Sequence, residues 1–153
     1  MLHIVLLEPE IPYNTGNIGR TAVLTGARLH LIKPYGFSIQ EKWVRKAGMD
    51  YWKDVDLREH LSWEDFLEDE KPERVFLATT KAPRSYTDVT YRDGDYLVFG
   101  KESAGIDEEI LKRYPNATIR IPMKDFGRSL NLSNSAAIIL YEALRQTGYP
   151  DLC

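Results

Sequence analysis

Three short runs of the chain concentrate residue types that could bind or move chemical groups. The first is Asn14-Thr15-Gly16-Asn17-Ile18-Gly19-Arg20. Two glycines where the chain enters a helix would let backbone N–H groups face an anion. Arg20, one turn on, would then stand beside a phosphate-sized opening. Only Gly16 and Gly19 match the second half of the dinucleotide fingerprint, and no P-loop Gly-Lys-Ser/Thr follows. A tight turn, a capped helix and a solvated arginine would explain the same residues. The second run is Leu97-Val98-Phe99-Gly100-Lys101-Glu102-Ser103-Ala104-Gly105-Ile106. Glycine at a strand end permits close approach of backbone to a flat ligand, and Glu102 could receive a positive group or a hydroxyl. Two turn glycines and a surface glutamate are the plain alternative. The third run, 121–135, gathers Asn131, Ser133, Asn134 and Ser135 at one helix start. One N-cap needs one such residue. The surplus implies a loop shape or a ligand to hold, against the alternative of a multiply capped helix.

The elements that must position these runs alternate between strand and helix. The apolar run 2–7 reads as a strand buried on both faces. A helix is expected over 17–25, capped by Asn14 or Thr15 and ended by Gly26. Strands follow at 28–33, 74–79, 96–99 and 118–121, with a short one near Val55. Helices are expected over 39–47, after the capping-box run Ser62-Trp63-Glu64-Asp65, after Asp107, and over 131–146. The alternation predicts an α/β fold, a mostly parallel sheet flanked by helices. Ligands of such sheets lie at the carboxyl ends of the strands, where the three runs fall.

The chain of 153 residues fits one domain over 1–153. Its 43% hydrophobic and 28% charged residues are ordinary for a globular protein. The single cysteine, Cys153, suits a reducing compartment. The amino-terminal run lacks a basic leader, and the apolar stretch 136–141 is too short to span a bilayer. The expectation is a cytoplasmic protein without a membrane partner. The net charge of −3 shows no basic excess of the kind that grips nucleic acid, so any RNA affinity must come from a local patch. His3, His30 and His60 fall in strand and surface segments away from the three runs. No histidine base is evident there, and no metal is expected.

Together the three runs resemble the motifs of the SPOUT superfamily of knotted methyltransferases. The resemblance is carried by Glu-Pro-Glu-Ile-Pro at 8–12, Asn-Thr-Gly-Asn-Ile at 14–18, Asp-Gly-Asp-Tyr-Leu at 93–97, Phe-Gly at 99–100, Arg-Ser-Leu-Asn-Leu-Ser-Asn at 128–134, and Tyr-Glu-Ala with Arg-Gln at 141–146. It covers essentially the whole chain and is nearest to the branch that methylates the wobble ribose of tRNA. It implies a carboxy-terminal deep trefoil knot, which no periodicity could reveal. It also implies S-adenosylmethionine as methyl donor, held by Ala78, Thr79, Gly100, Glu102, Gly105, Ile121, Met123, Ser129 and Leu130. The implied reaction is 2′-O-methylation of cytidine or modified uridine at the wobble position, in leucine tRNA isoacceptors.

Arg20, Asn131 and Ser133 would carry the chemistry, with Arg20 orienting the ribose rather than taking its proton. Asn14, Asn17, Lys42, Arg45, Lys46 and Arg128 would meet the RNA. Family members are homodimers, which places Tyr141 at an interface, on a face with Ile138, Leu144 and Arg145; a core-facing aromatic is the alternative. A dimer could pool Lys33, Lys42, Arg45, Lys46, Lys81 and Arg84 in one groove. Two departures stand out. Gly19 replaces the larger apolar residues common in the family, which would loosen the first helix, and Phe126-Gly127 alters the tip of the third run. Three other readings compete: a methyltransferase for another RNA such as rRNA, a non-catalytic RNA-binding or assembly protein that kept the knot, and a plain nucleotide-binding module.

Overall fold

The computed structural model describes residues 1–38, 46 and 49–153. Among these, six strands form one parallel sheet in the order β3-β2-β1-β5-β4-β6. The strands are β1 (His3–Leu7), β2 (Arg28–Ile32), β3 (Leu57–His60), β4 (Val75–Ala78), β5 (Tyr96–Phe99) and β6 (Thr118–Ile119). The helices are α1 (Pro12–Thr25), α2 (Trp63–Glu70), α3 (Glu108–Leu111) and α4 (Leu132–Gln146), with a 3-10 helix at Met49–Asp54. The expected helix over 39–47 lies outside the described residues, apart from helical Lys46.

Every residue of β1 is buried because both faces of the sheet are covered. Ile4, Leu6, Leu29, Leu31, Leu97 and Phe99 point to one face, against Ile18 and Ala22 of α1 and Ala136, Ile139 and Leu140 of α4. Val5, Leu7, Ile32, Leu77 and Val98 point to the other, against Trp63 and Phe66 of α2 and Leu111 of α3. This two-sided burial turns the amphipathic alternation of a half-exposed strand into the continuous apolar runs of the sequence.

Several expected boundaries hold. β5 spans 96–99, Ser62 caps α2 by accepting from Asp65 N, and Asp107 caps α3 by accepting from Glu109 N. The third strand differs. Val55 follows the 3-10 helix, and the strand comes two residues later, paired with β2. The first helix differs more. It begins at Pro12 rather than Asn17, with Ile11 as an N-cap that makes no side-chain capping bond. Proline is well placed at the first helical position because its missing N–H has no partner there in any case. The run 14–20 is therefore helix interior, not an anion-facing loop, and Asn14, Thr15, Gly16 and Gly19 are buried within it.

Gly19 also has a role that the sequence concealed. A Cβ placed there would lie 2.6 Å from Cζ3 and 2.7 Å from Cε3 of Trp52, and 3.3 Å from Val55 Cγ2. The missing side chain is the space that the indole occupies. The expected loosening of the helix is thus offset by packing of the 3-10 helix against it. Gly19→Ile is expected to destabilise the protein by about 1–3 kcal/mol through overpacking. In a Trp52→Ala background the same change should cost much less, and a urea-denaturation double-mutant cycle would measure that coupling. Additive effects would show that the two sites do not share the space.

Candidate active site

The carboxyl ends of β4, β5 and β6 open into a cavity of about 450 Å³, walled on one side by the start of α1. That size is ordinary for a small-molecule site. Ala78 and Thr79 line it after β4, Gly100, Glu102 and Gly105 after β5, and Ile121, Met123, Ser129 and Leu130 after β6. All nine residues that the resemblance assigns to the methyl donor therefore surround one space. Phe99, Ile119 and Leu132 add apolar wall, and Asn14 and Asn131 add amides.

Glu102 joins the walls. Its carboxylate accepts from Glu10 N and Ile11 N, both at 2.9 Å, and from Asn14 Nδ2 at 3.1 Å. The first N–H groups of a helix have no partner inside it, and a carboxylate there also suits the helix dipole. Glu102 is thus the cap that Ile11 cannot provide, delivered from the loop after β5. Both of its oxygens accept N–H groups in this structure, and Glu102 also lines the cavity. Glu10 returns the arrangement, accepting from Ser103 N at 2.8 Å and Ser103 Oγ at 3.0 Å. Those two bonds, the backbone one first, hold the Glu10 carboxyl below the usual carboxylate value. The exchange joins residues 92 and 93 positions apart, so no local motif announces it beyond Glu-Pro-Glu ahead of a helix without a side-chain cap.

The chain of bonds continues into the third run. Asn131 Nδ2 donates to Asn14 Oδ1 at 3.1 Å. Asn131 Oδ1 accepts from Ser133 N at 2.9 Å, Ser133 Oγ at 2.6 Å and Asn134 N at 3.2 Å. Its oxygen thus caps α4, while its amide bonds Asn14 at the cavity wall. Asn14 is only 5% exposed and has both ends of its amide engaged, by Glu102 and by Asn131. Ser133 gives its N–H and hydroxyl to Asn131 and is not among the lining residues. It supports the site rather than facing into it.

Gly100 is required by the chain itself. A Cβ there would fall 2.1 Å from Gly105 C and 2.2 Å from Ile106 N. The backbone that comes close is the loop's own return strand, where Gly105 N donates to Lys101 O at 2.9 Å. Gly105 itself has φ +72°, which glycine adopts without strain.

The remaining candidates spread outward. Arg20 and Asn17 are half-buried on α1 and do not line the cavity; Arg128 and Lys46 are exposed. Lys42 and Arg45 lie outside the described residues. Tyr141 is 46% and Ile138 36% exposed, so Tyr141 is not a core aromatic, whereas Leu144 at 4% belongs to the core and not to their face. The histidines are not at the surface: His3, His30 and His60 are all buried.

Asn131→Ala is expected to cost about 1 kcal/mol or somewhat more, the loss of a helix cap. Asn131→Asp keeps an acceptor for the α4 N–H groups but sets a carboxylate oxygen against Asn14 Oδ1. Its cost should fall markedly in an Asn14→Ala background, measured by chemical denaturation. An equal cost in both backgrounds would remove Asn14 as the partner.

Comparison with known proteins agrees with this geometry. The SpoU rRNA methylase family profile matches residues 1–141. The tRNA (cytidine(34)-2'-O)-methyltransferase of Escherichia coli (strain K12) is 50% identical over 151 residues, covering 98% of this chain and 96% of that one. A structure solved for insight into the 2-OH methylation of C/U34 on tRNA superposes with TM-score 0.92 at 47% identity, covering 97% of each chain. An AdoMet-bound rRNA methyltransferase from Sinorhizobium meliloti gives TM-score 0.84 at 27% identity, over 94% of this chain and 56% of that one. With a profile match over nearly its whole length and a relative sharing half of its residues, the chain belongs to the SpoU rRNA methylase family.

Proposed function

We propose that the protein transfers a methyl group from S-adenosylmethionine to the ribose 2′-oxygen of nucleotide 34 of tRNA, cytidine or modified uridine, with leucine isoacceptors as the expected substrates. The observation that carries this is the 50% identity, across nearly all of both chains, to an enzyme of that name. The family alone would leave the choice of RNA open.

The cavity fits the donor. Its walls mix apolar side chains (Phe99, Ile119, Ile121, Leu130) with the open backbone of three post-strand loops, which suits a purine and a polar amino-acid tail. Ala78, Thr79, Gly100, Gly105, Ile121, Met123, Ser129 and Leu130 would hold it. Glu102 contributes by fixing the wall between α1 and the loop after β5. When bound, the donor supplies a methyl group on a sulfonium whose leaving thioether is neutral. What remains for the protein is alignment of a weak nucleophile. Asn131 presents its amide at the cavity edge. Arg20, on α1, does not line the donor cavity; its planar fork would hold the ribose and the neighbouring phosphate. A guanidinium does not take protons at neutral pH, so the hydroxyl proton leaves to a substrate phosphate or to water. Asn17, Lys42, Arg45, Lys46 and Arg128 would contact the RNA backbone, giving affinity while the unstacked nucleotide is read by shape.

The same reading includes three features of the family. The carboxy-terminal segment would thread a loop as a deep trefoil knot. Its support is the lacing of Arg120 between Arg84 O and Tyr86 N, at 2.9 and 2.8 Å, before the chain crosses to pack α4 on α1. Two copies would pair through the face of Tyr141 and Ile138. The protein, acting as one domain over 1–153, would work in the cytoplasm; no helix among the described residues is long and apolar enough to cross a membrane.

Incubating the protein with labelled S-adenosylmethionine and total tRNA should place one methyl on the ribose of nucleotide 34, read by nuclease digestion and mass spectrometry. Labelled rRNA with unlabelled tRNA would instead assign another target. Arg20→Lys should lower turnover by about 100-fold with unchanged donor affinity by calorimetry; wild-type turnover would remove Arg20 from its role.

A further inference from the structure

The chain has three histidines, and the fold brings all of them together under α2, on the sheet face opposite α1 and α4. They stand on adjacent strands. The register pairs His3 with Arg28 and His30 with Arg58, so each histidine lies two residues beyond its predecessor's level. Residues two apart on a strand share a face, and the rings therefore form a diagonal row. His3 Nδ1 is 2.9 Å from His30 Nε2, and His30 Nδ1 is 3.0 Å from His60 Nε2. They are 8%, 0% and 5% exposed. Glu70, at the end of α2, brings Oε1 to 3.8 Å from His30 Nε2 and accepts from Tyr96 Oη at 3.0 Å.

At the end of the row Asp69 Oδ2 stands 3.5 Å from His60 Nδ1 without a hydrogen bond to it. Each nitrogen pair shares one proton, so an ion between His3 and His30 would replace the hydrogen bond between His3 Nδ1 and His30 Nε2. Both rings are buried, and Glu70 brings its carboxyl group to the edge of the pair.

One ligand atom from each of His3, His30 and Glu70 lies within 4.8 Å of the other two. A single ion between them could reach the roughly 2.0–2.2 Å that nitrogen and carboxylate ligands take on zinc. The supporting contacts are those that metal ligands need. The other N–H of His30 is held by His60, the carboxylate of Glu70 is held by Tyr96, and the His3 ring stacks on Tyr96 at 3.9 Å between centroids. Such partners fix tautomer and orientation. We propose that His3, His30 and Glu70 form a binding site for a divalent transition metal of the zinc class, which ties β1, β2 and α2 together on the side of the sheet away from the methyl-donor cavity. Water would complete the tetrahedron. The site was invisible in the sequence because its ligands are 27 and 40 residues apart, with no short metal-binding spacing.

The test uses the full chain with Cys153→Ser, which removes the one thiol and leaves this cluster as the sole source of imidazole. After dialysis against chelator, calorimetry with zinc chloride should give one ion per chain and the melting temperature should rise. Cobalt(II) in place of zinc should show intense visible bands of a low-coordinate nitrogen and oxygen site. His3→Asn and Glu70→Gln keep hydrogen-bonding groups in place and should each weaken zinc binding at least about 100-fold, while metal-free melting and S-adenosylmethionine affinity stay near the parent's. Failure of the parent to take up zinc, or uptake that is unchanged in both variants, would overturn the site. The cobalt spectrum of the parent decides the matter should either variant fold poorly.

Discussion

The architecture of the site depends on one carboxylate. Glu102 accepts two backbone N–H groups from the start of α1 and the amide of Asn14, and through Asn14 it is joined to Asn131 at the start of α4. Without it the N–H groups of Glu10 and Ile11, which lead into α1, would lose these acceptors, and Ile11 brings no side-chain cap of its own. A hydrogen bond to a charged group contributes about 1.5–3 kcal/mol, more than a neutral cap. The arrangement therefore sets the distance between three segments far apart in sequence, and the cavity is the space between them. A wall held by hydrogen bonds to a charged group is stiff, which is what alignment of a weak nucleophile requires.

The sheet supplies the other half of that stiffness. β1 lies at its centre, between β2 and β5, and its carboxyl end feeds the turn that Glu102 caps. The loops after β1 and β5 leave adjacent strands and meet at Glu10, Ser103 and Glu102. The register of that strand pair, His3 with Tyr96 through Leu6 with Phe99, thus fixes which residues of the two loops face each other. Packing on both faces resists any slip of that register, since a shift by one residue would turn Ile4 and Leu6 out of one core and Val5 and Leu7 out of the other.

Local signals in the sequence were legible where the cause is local. The strand at 96–99, the Ser62 and Asp107 caps and the helix ending at Gln146 all follow from residues within a few positions. The start of α1 was misplaced because its cap comes from Glu102, 91 residues from Ile11, and capping rules look only at neighbours. The same holds for the glycines. Gly100 is a place of close approach, and the backbone that approaches is the return strand at Gly105, which no spacing rule names. Gly19 looked like a weakness because Trp52, which fills its space, cannot be related to it by any spacing rule. The cavity residues were legible through family resemblance alone. No pattern in the composition distinguishes Ile121 or Leu130 from ordinary loop residues.

The engaged state of the polar groups bears on where the reacting proton goes under the proposed function. Asn14 gives one end of its amide to Glu102 and the other to Asn131. Ser133 gives its hydroxyl to Asn131, and both Glu102 oxygens accept N–H groups. Glu10, held low by Ser103, is a weak base. The buried histidines sit on the other face of the sheet from α1. The residues around the cavity are thus arranged as fixed donors and acceptors whose partners are already chosen. Such a site stabilises by holding dipoles still rather than by exchanging protons. A substrate that arrives with its own phosphates brings an acceptor that the polar groups described around the cavity do not offer, so the tRNA backbone held by Arg20 would be a participant in the chemistry as well as the means of docking.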